Sequence, residues 1–166
     1  MSAYPTRTRK LRIVVSSVSS DAHMWNLVFL QLLLEEAGHE VANVGVCPPD
    51  ATVMAACRGA DRPDLLVLST VNGHGRLDGL RLIRALRADP ELATLPVVIG
   101  GKLGLRGTGD PGTGRQLLEA GFDAVFAESR GNTPERMVAD FRAFLTALAT
   151  ARPTAPPPRI PAGAGR

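Results

Sequence analysis

The chain has 166 residues and a formal net charge of +3, with 45% hydrophobic and 4% aromatic residues, a composition typical of one globular domain with its own core. The basic residues concentrate near both ends and aromatic residues are few, so we expect no nucleic-acid partner. Two cysteines are too few for a disulfide framework, no run approaches the roughly 20 apolar residues that span a bilayer, and no signal-peptide core opens the chain. These features predict a cytoplasmic protein without a membrane partner.

Strand-like and helix-like segments alternate along the chain. Short apolar, β-branched runs predict strands at 11–18, 40–46, 64–70, 96–100 and 123–127. Leucines at helical spacing, with glycine or proline at the ends, predict helices at 25–37, 51–58, 77–88, 116–120 and 134–148. A long glycine-rich loop is expected to run through Gly114 before the short fourth helix. The pattern divides the chain into a flexible lead (1–10), a folded domain (11–149) and a Pro-, Ala- and Gly-rich tail (150–166) that we expect to be disordered.

The alternation of five strands with five helices predicts an α/β fold. Parallel strands need crossover connections, so the helices should cover both faces of a five-stranded parallel sheet. The flavodoxin-like (Rossmann-like) strand order 2-1-3-4-5 is the expected topology for five strands. It places a ligand crevice beside the carboxyl ends of strands 1 and 3.

An Asp-x-His pair, Asp21 and His23, follows the first predicted strand. An imidazole in this position can donate from one ring nitrogen to the carboxylate and offer the other nitrogen to a metal, while the acid fixes its tautomer and orientation. Taken alone, the pair has a simpler interpretation, in which His23 bonds within its loop and Asp21 caps the following helix.

Small and polar residues end two more predicted strands. Ser69 ends the third strand and Gly100-Gly101 ends the fourth, so all should lie along the same sheet edge as the Asp-x-His pair. Glycine lets a bulky ligand approach the backbone, and a strand-end hydroxyl can bond a group inserted into the crevice. Ser69 could equally bond only to loop backbone. The arrangement predicts a slot with a metal ligand at its mouth.

Several short segments together resemble the small, cobalamin-binding subunit of glutamate mutase (methylaspartate mutase), a member of the B12-binding domain family. The resemblance extends over about residues 11–146. It rests on Ser20-Asp21-Ala22-His23 at the cobalt-ligating turn, Asn43-Val44-Gly45-Val46 after the second strand, Ser69-Thr70-Val71 and Gly73-His74-Gly75 after the third, Gly100-Gly101 after the fourth, and Ala120-Gly121-Phe122-Asp123 before the fifth.

The resemblance implies adenosylcobalamin as cofactor, with His23 as lower cobalt ligand in place of the cofactor's own dimethylbenzimidazole. Asp21 would hold His23, Ser69 would contact the displaced nucleotide tail in the crevice between strands 1 and 3, and Gly100-Gly101 would let the tail run close to the backbone. The remaining implied cofactor contacts are Ser20, Ala22, Val71, Gly73 and His74. For His74, an exposed loop position with no role is an equal alternative.

The resemblance also implies an isomerase component that is inactive alone and contributes no catalytic residue. A separate large barrel subunit would hold the substrate, and the pair would convert L-glutamate to 3-methylaspartate by a radical carbon-skeleton rearrangement. The sequence departs from the family pattern at three places: Asn26 replaces the motif glycine, Val71 replaces a leucine, and Glu128-Ser129 replaces a Pro-Gly turn.

Two other functions remain open at this point. One is a non-catalytic corrinoid carrier, either a methyl-transfer shuttle or a light- or cofactor-sensing module; methyl carriers usually have a helical cap ahead of the corrinoid domain, for which residues 1–10 leave no room. The other is a cofactor-free flavodoxin-like regulator. A phosphate-receiving regulator would need clustered acids at the ends of strands 1 and 3, whereas Ser69 and Thr70 occupy the second of these positions.

Overall fold

Five parallel strands form the centre of the molecule. The computed structural model describes residues 8–104, 111–128 and 131–151. The strands are β1 (Arg12–Ser16), β2 (Glu40–Asn43), β3 (Leu65–Thr70), β4 (Val97–Gly101) and β5 (Ala124–Ala127). They pair in the order β2-β1-β3-β4-β5, and every pairing is parallel. The predicted flavodoxin-like topology is therefore confirmed.

Helices cover both faces of this sheet. They are α1 (Trp25–Glu36), α2 (Asp50–Ala56), α3 (Gly75–Ala88), α4 (Pro111–Ala120) and α5 (Pro134–Thr150). Successive β-strand side chains point to opposite faces. Accordingly, Val14 packs with the α2, α3 and α4 residues in one buried cluster, whereas Ile13 and Val15 pack with α1 and α5 residues in the other. The three central strands β1, β3 and β4 are mostly buried, as strands of a parallel sheet covered on both faces are, whereas the edge strand β2 is mostly exposed.

Two helices begin earlier than the sequence predicts. Helix α3 starts at Gly75, two residues before the expected position, and α4 starts at Pro111, where a loop through Gly114 was expected. The glycines of this segment are poor helix formers, but proline suits a first helical turn. Burial of Thr113 and Leu117 holds the segment on the core, and tertiary packing overrides the low propensity.

The two chain ends lie partly outside the described residues. Most of the predicted flexible lead, 1–7, and nearly all of the predicted disordered tail, 152–166, belong to the part of the chain that is not described. Ordered contacts are present at Arg9, whose N–H donates to the carbonyl of Ala149 at 3.2 Å and whose guanidinium lies 2.8 Å from Asp64. In the ranges described, no helix is long and apolar enough to cross a bilayer.

Candidate functional site

The loop after β1 places Asp21 and His23 in direct contact. The Nδ1 atom of His23 lies 2.6 Å from Oδ1 of Asp21, and the His23 backbone N–H donates to the same oxygen at 2.9 Å. The Asp21 side chain is fully buried, whereas 61% of the His23 side chain is exposed. The carboxylate therefore fixes one edge of an exposed imidazole, and Nε2 forms no hydrogen bond within the described residues.

The second carboxylate oxygen of Asp21 reaches the loop after β3. The backbone N–H of Val71 donates to Oδ2 at 2.7 Å. Burial alone would raise the pKa of Asp21, but the hydrogen bonds from the N–H groups of His23 and Val71 and from the His23 ring outweigh it, so the pKa lies below its ordinary value. An ionised Asp21 accepts the Nδ1 proton, which leaves the Nε2 lone pair of neutral His23 available to a metal.

Asp21 does not cap α1. The N-cap of this helix is Met24, and no side chain caps it. The prediction that Asp21 caps the following helix is therefore wrong, whereas His23 does bond within its own loop, to Asp21. Both of its oxygens are used to join the loops after β1 and β3 and to orient His23.

A network of polar side chains connects the loop after β1 to α3. The Ser20 hydroxyl donates to Asp78, and Arg81 donates to Asp78 at 2.7 Å, to Asp50 at 2.7 Å and to Ser19 at 2.8 Å. Burial of Asp78 acts to raise its pKa, but the bonds from Ser20 and Arg81 lower it overall. Sequence reasoning found Ser20 but missed Asp50, Asp78 and Arg81, because no local pattern links residues about thirty to sixty positions apart.

The other residues predicted at this sheet edge lie at different points of the two loops. Ala22 and His74 are exposed, and Gly73 has a positive φ of 84° in the turn before α3. His74 occupies the N-cap position of α3, where its backbone N–H, not its imidazole, donates to Asn72 at 2.9 Å. The structure thus places the His74 ring on the surface of the edge and joins it by no hydrogen bond to His23 among the described residues.

An apolar cavity of about 300 Å³ lies beside the dyad, between α1, α5 and the carboxyl ends of β3 and β4. Sequence reasoning placed the crevice between strands 1 and 3, but no β1 residue lines this cavity. Over β1, the fully buried Leu27 and Leu34 fill the corresponding space. The lining includes Asn26, Ser69, Val71, Gly100, Gly101 and Glu128, with Phe29, Phe126 and Phe141 among the apolar residues.

The sheet itself requires Gly101, the second of the two glycines that end β4, and leaves little space beside Gly100. Gly101 has a φ of 104°, and a Cβ there would lie 2.0 Å from the carbonyl oxygen of Thr70. A Cβ on Gly100 would lie 3.2 Å from the carbonyl oxygen of Phe126. Both glycines also line the cavity. The presence of glycine at position 101 therefore has a structural cause that does not depend on a ligand.

Asn26 pairs with Ser69 in the lining of the cavity. Its Nδ2 donates to the Ser69 hydroxyl at 2.8 Å, which joins the first turn of α1 to the end of β3. Its Oδ1 is buried and has no hydrogen-bond partner in the described structure. The sequence identified Asn26 only as a departure from a motif glycine and gave no sign of this pairing.

Within the described ranges, no three His, Cys, Asp or Glu side chains converge to hold a metal ion.

A model of the B12 binding domain matches residues 11–136. The chain belongs to the B12-binding domain family. The match covers the whole sheet and the beginning of α5, and it includes the Asp21–His23 dyad and the cavity lining up to α5.

Two proteins with similar sequences are both glutamate mutase sigma subunits. The chain is 28% identical to the glutamate mutase sigma subunit of Fusobacterium nucleatum over 70% of this chain and 85% of that protein. It is 31% identical to the glutamate mutase sigma subunit of Halobacterium salinarum over 72% of this chain and 78% of that protein. The resemblance found in the sequence is thus confirmed at the level of the family.

Solved structures share the fold at lower identity. A cobalamin-binding protein from Desulfitobacterium hafniense superposes with a TM-score of 0.62 at 20% identity, over 84% of this chain; the chain spans 60% of that protein's length. The receiver domain of a signal transduction histidine kinase from Syntrophus aciditrophicus superposes with a TM-score of 0.57 at 20% identity, over 84% of this chain and 90% of that one. These similarities establish the fold. The function has to be argued from the residues of the site.

Proposed function

We propose that this protein is the cobalamin-binding small subunit of an adenosylcobalamin-dependent mutase of the glutamate mutase type, acting in the cytoplasm with a separate large barrel subunit. The observation that carries the proposal is the 2.6 Å contact between buried Asp21 and exposed His23. The names of the sequence relatives support the same enzyme type.

Three features of the site fit a cobalamin. The exposed imidazole has a buried carboxylate behind it, which is the arrangement that orients a metal-ligating histidine. The cavity of about 300 Å³ beside it has aromatic walls suited to a flat heterocycle. Asn26 belongs to the lining, and its Oδ1 is buried without a hydrogen-bond partner in the described structure.

In this proposal His23 binds cobalt through Nε2, and Asp21 keeps the Nδ1 proton and the ring orientation. Ser69, Gly100 and Gly101 line the space for the nucleotide tail. Ser20, Ala22, Val71, Gly73 and His74 contribute the surrounding edge. Bound adenosylcobalamin supplies reversible cleavage of its cobalt–carbon bond, the chemistry that starts a carbon-skeleton rearrangement.

Exposed apolar side chains next to His23 support the presence of a further covering group. Met24 is 58% and Trp25 84% exposed, and Val71 is 37% exposed on the facing loop. Large exposed aromatic residues are typical of surfaces that another molecule covers. A corrin ring and the large subunit above it would cover this edge together.

Reconstitution with the large subunit tests the mutase proposal. The purified chain, the large subunit of the same enzyme type and adenosylcobalamin should together form 3-methylaspartate from L-glutamate. Neither protein should do so alone, and His23→Ala should abolish the reaction. His39→Ala, which changes a histidine outside the site whose Nδ1 accepts the Leu11 N–H, is the matched control. A chain that binds cobalamin but neither retains the large subunit nor supports isomerisation would instead be a corrinoid carrier.

A further inference from the structure

The side chain of Asn72 connects the loop after β3 to the turn that carries His23. We propose that Asn72 is a positioning residue, which holds this turn in place and so keeps Nε2 of His23 where it can bind cobalt. The inference rests on the proposed function, because the position that it explains is that of the cobalt ligand.

Every polar group of the Asn72 side chain has a partner. Its Nδ2 donates to the carbonyl oxygen of Ser20 at 2.9 Å and to the Ser20 hydroxyl oxygen at 3.0 Å. Its Oδ1 accepts the Thr70 hydroxyl proton at 3.0 Å and the His74 backbone N–H at 2.9 Å. A side-chain amide has two N–H groups and two oxygen lone pairs, so these contacts use its whole capacity. The side chain is therefore held in one orientation between the two loops.

Asn72 and Asp21 connect the same two loops in opposite directions. Asp21, in the loop after β1, accepts the backbone N–H of Val71 at 2.7 Å. Asn72 follows Val71 in the sequence and donates to the backbone carbonyl of Ser20, which precedes Asp21. Each loop thus contributes one side chain that bonds to the backbone of the other. The peptide between Ser20 and Asp21 is held on both sides, two residues before His23.

The Ser20 hydroxyl extends this connection to α3. It donates to the buried carboxylate of Asp78, so its oxygen accepts the hydrogen bond from Asn72. In this chain of bonds from amide to hydroxyl to carboxylate, each donor meets an acceptor and the last acceptor is charged, which strengthens the series. Asn72 is therefore the residue that joins the β3 loop to the network of Asp78 and Arg81.

Hydrogen bonds matter for the position of His23 because burial does little to hold its turn. Asp21 is buried, but residues 20 and 22–25 on either side of it are exposed. The following helix, α1, also begins without a side-chain cap. An exposed turn loses conformational freedom when it binds a ligand, unless side chains already restrain it. Without Asn72, His23 would keep its chemistry but would lose more entropy on binding cobalt.

Two substitutions of Asn72 and one matched control test this role. Asn72→Ala removes all of its side-chain hydrogen bonds. Asn72→Ser keeps a hydroxyl that can accept the N–H of its own turn but is too short to reach Ser20. The control is Asn43→Ala. The Oδ1 of Asn43 also accepts the backbone N–H two residues ahead, but its Nδ2 donates to Gln31 of α1 and not to the His23 turn.

Amide hydrogen exchange measures the connection between the loops without cofactor. The Val71 N–H, which is bonded to Asp21, exchanges when the loops separate, whereas the Leu68 amide inside β3 exchanges only on wider unfolding. Both Asn72 variants should exchange the Val71 amide about tenfold faster than the wild type, the effect of the lost hydrogen bonds. Exchange at Leu68 should change less. Asn43→Ala should leave exchange at Val71 unchanged.

Absorbance titration with adenosylcobalamin measures the consequence for ligation. Both Asn72 variants should bind about three- to tenfold more weakly than the wild type. Part of the cofactor that they bind should have the base-off spectrum without a histidine ligand. This spectral change distinguishes positioning of His23 from a general loss of stability, which would lower the melting temperature and leave the spectrum of the bound cofactor as it is. Asn43→Ala should bind as the wild type does.

Four results would overturn the inference while leaving the proposed function intact. Wild-type exchange and binding in Asn72→Ala would remove Asn72 from the site. Faster Val71 exchange with unchanged affinity and spectrum would make its contacts purely structural. Weaker binding with unchanged Val71 exchange would show that Asn72 contacts the cofactor instead of positioning His23. Wild-type behaviour of Asn72→Ser would limit its role to its own turn. If the wild-type chain does not bind adenosylcobalamin, the proposed function and the inference both fail.

Discussion

The Oδ2 atom of Asp21 accepts the backbone N–H of Val71 at 2.7 Å, while Oδ1 holds the imidazole of His23. One buried carboxylate thus joins the loops after β1 and β3 and orients the exposed histidine between them. Because two functions depend on the same side chain, changes at Asp21 should affect stability and cofactor binding together.

Asp21→Asn should weaken cobalamin binding about 10- to 100-fold, since outer partners of metal-ligating histidines have effects of this size. The amide cannot accept hydrogen bonds from both His23 and Val71 without presenting a donor to one of them. Absorbance titration with adenosylcobalamin measures the loss. Asp140→Asn, on the exposed side of α5, is the matched control and should bind as the wild type does. Unchanged affinity in Asp21→Asn would remove Asp21 from the site.

The stability contributed by Asp21 should depend on pH. The pKa of Asp21 is lowered in the folded protein, so the unfolded state binds more protons between the folded pKa and the ordinary aspartate pKa of 3.8. The stabilisation is fully present above the unfolded pKa and is lost as pH falls through the folded pKa. Chemical denaturation of wild type and Asp21→Asn should show a difference in unfolding free energy at pH 6 that shrinks below about pH 4. A difference that stays constant down to pH 2 would contradict the shift.

The Arg81 side chain should position the His23 loop without binding the cofactor. Arg81→Met removes hydrogen bonds to Ser19, Asp50 and Asp78, and should destabilise the fold by about 1 kcal/mol, because Arg81 is half exposed and solvent weakens its ion pairs. Cobalamin affinity should fall less than in His23→Ala. Arg84→Met changes an exposed arginine of the same helix and should leave both properties unchanged. Equal behaviour of the two variants would exclude the positioning role.

Gly101, which ends β4, and Gly114, which lies in α4, should respond to alanine in opposite directions. Gly101→Ala forces a Cβ to within 2.0 Å of the Thr70 oxygen at a φ of 104°, so it should destabilise by at least about 2 kcal/mol. Gly114→Ala lies in α4 with no neighbour within 4 Å of the new Cβ, and should stabilise by about 0.5–1 kcal/mol. Urea denaturation measures both. A destabilised Gly114→Ala would favour the loop that the sequence predicted at this position.

The sequence predicted those features that depend on short-range patterns. Alternating apolar runs and helical spacing gave the sheet and its strand order, and the two-residue spacing of Asp21 and His23 placed the dyad after β1. These features follow from residues close together in the chain, where side-chain chemistry and periodicity act locally.

The features that sequence reasoning missed depend on contacts between distant residues. Asn26 and Ser69 are 43 positions apart, and Arg81 and Ser19 are 62 apart. The cavity is lined by residues of β3 and β4 and by none of β1, over which Leu27 and Leu34 pack with Ile13 and Val15; the spacing of these leucines alone does not reveal this. Cys47, which directly precedes two prolines in the sequence, is exposed and has a positive φ of 48°, a backbone conformation that the sequence alone did not predict.

Ligation of cobalt by His23 is the central claim, and absorbance titration with adenosylcobalamin tests it most directly. The wild-type chain and the His39→Ala control should bind and give the spectrum of a base-off cobalamin with histidine as lower ligand. His23→Ala should lose that spectrum. Binding by His23→Ala with an unchanged spectrum, or no binding by the wild type even with the large subunit present, would contradict the account and leave the Asp21–His23 contact as a structural feature of a flavodoxin-like fold.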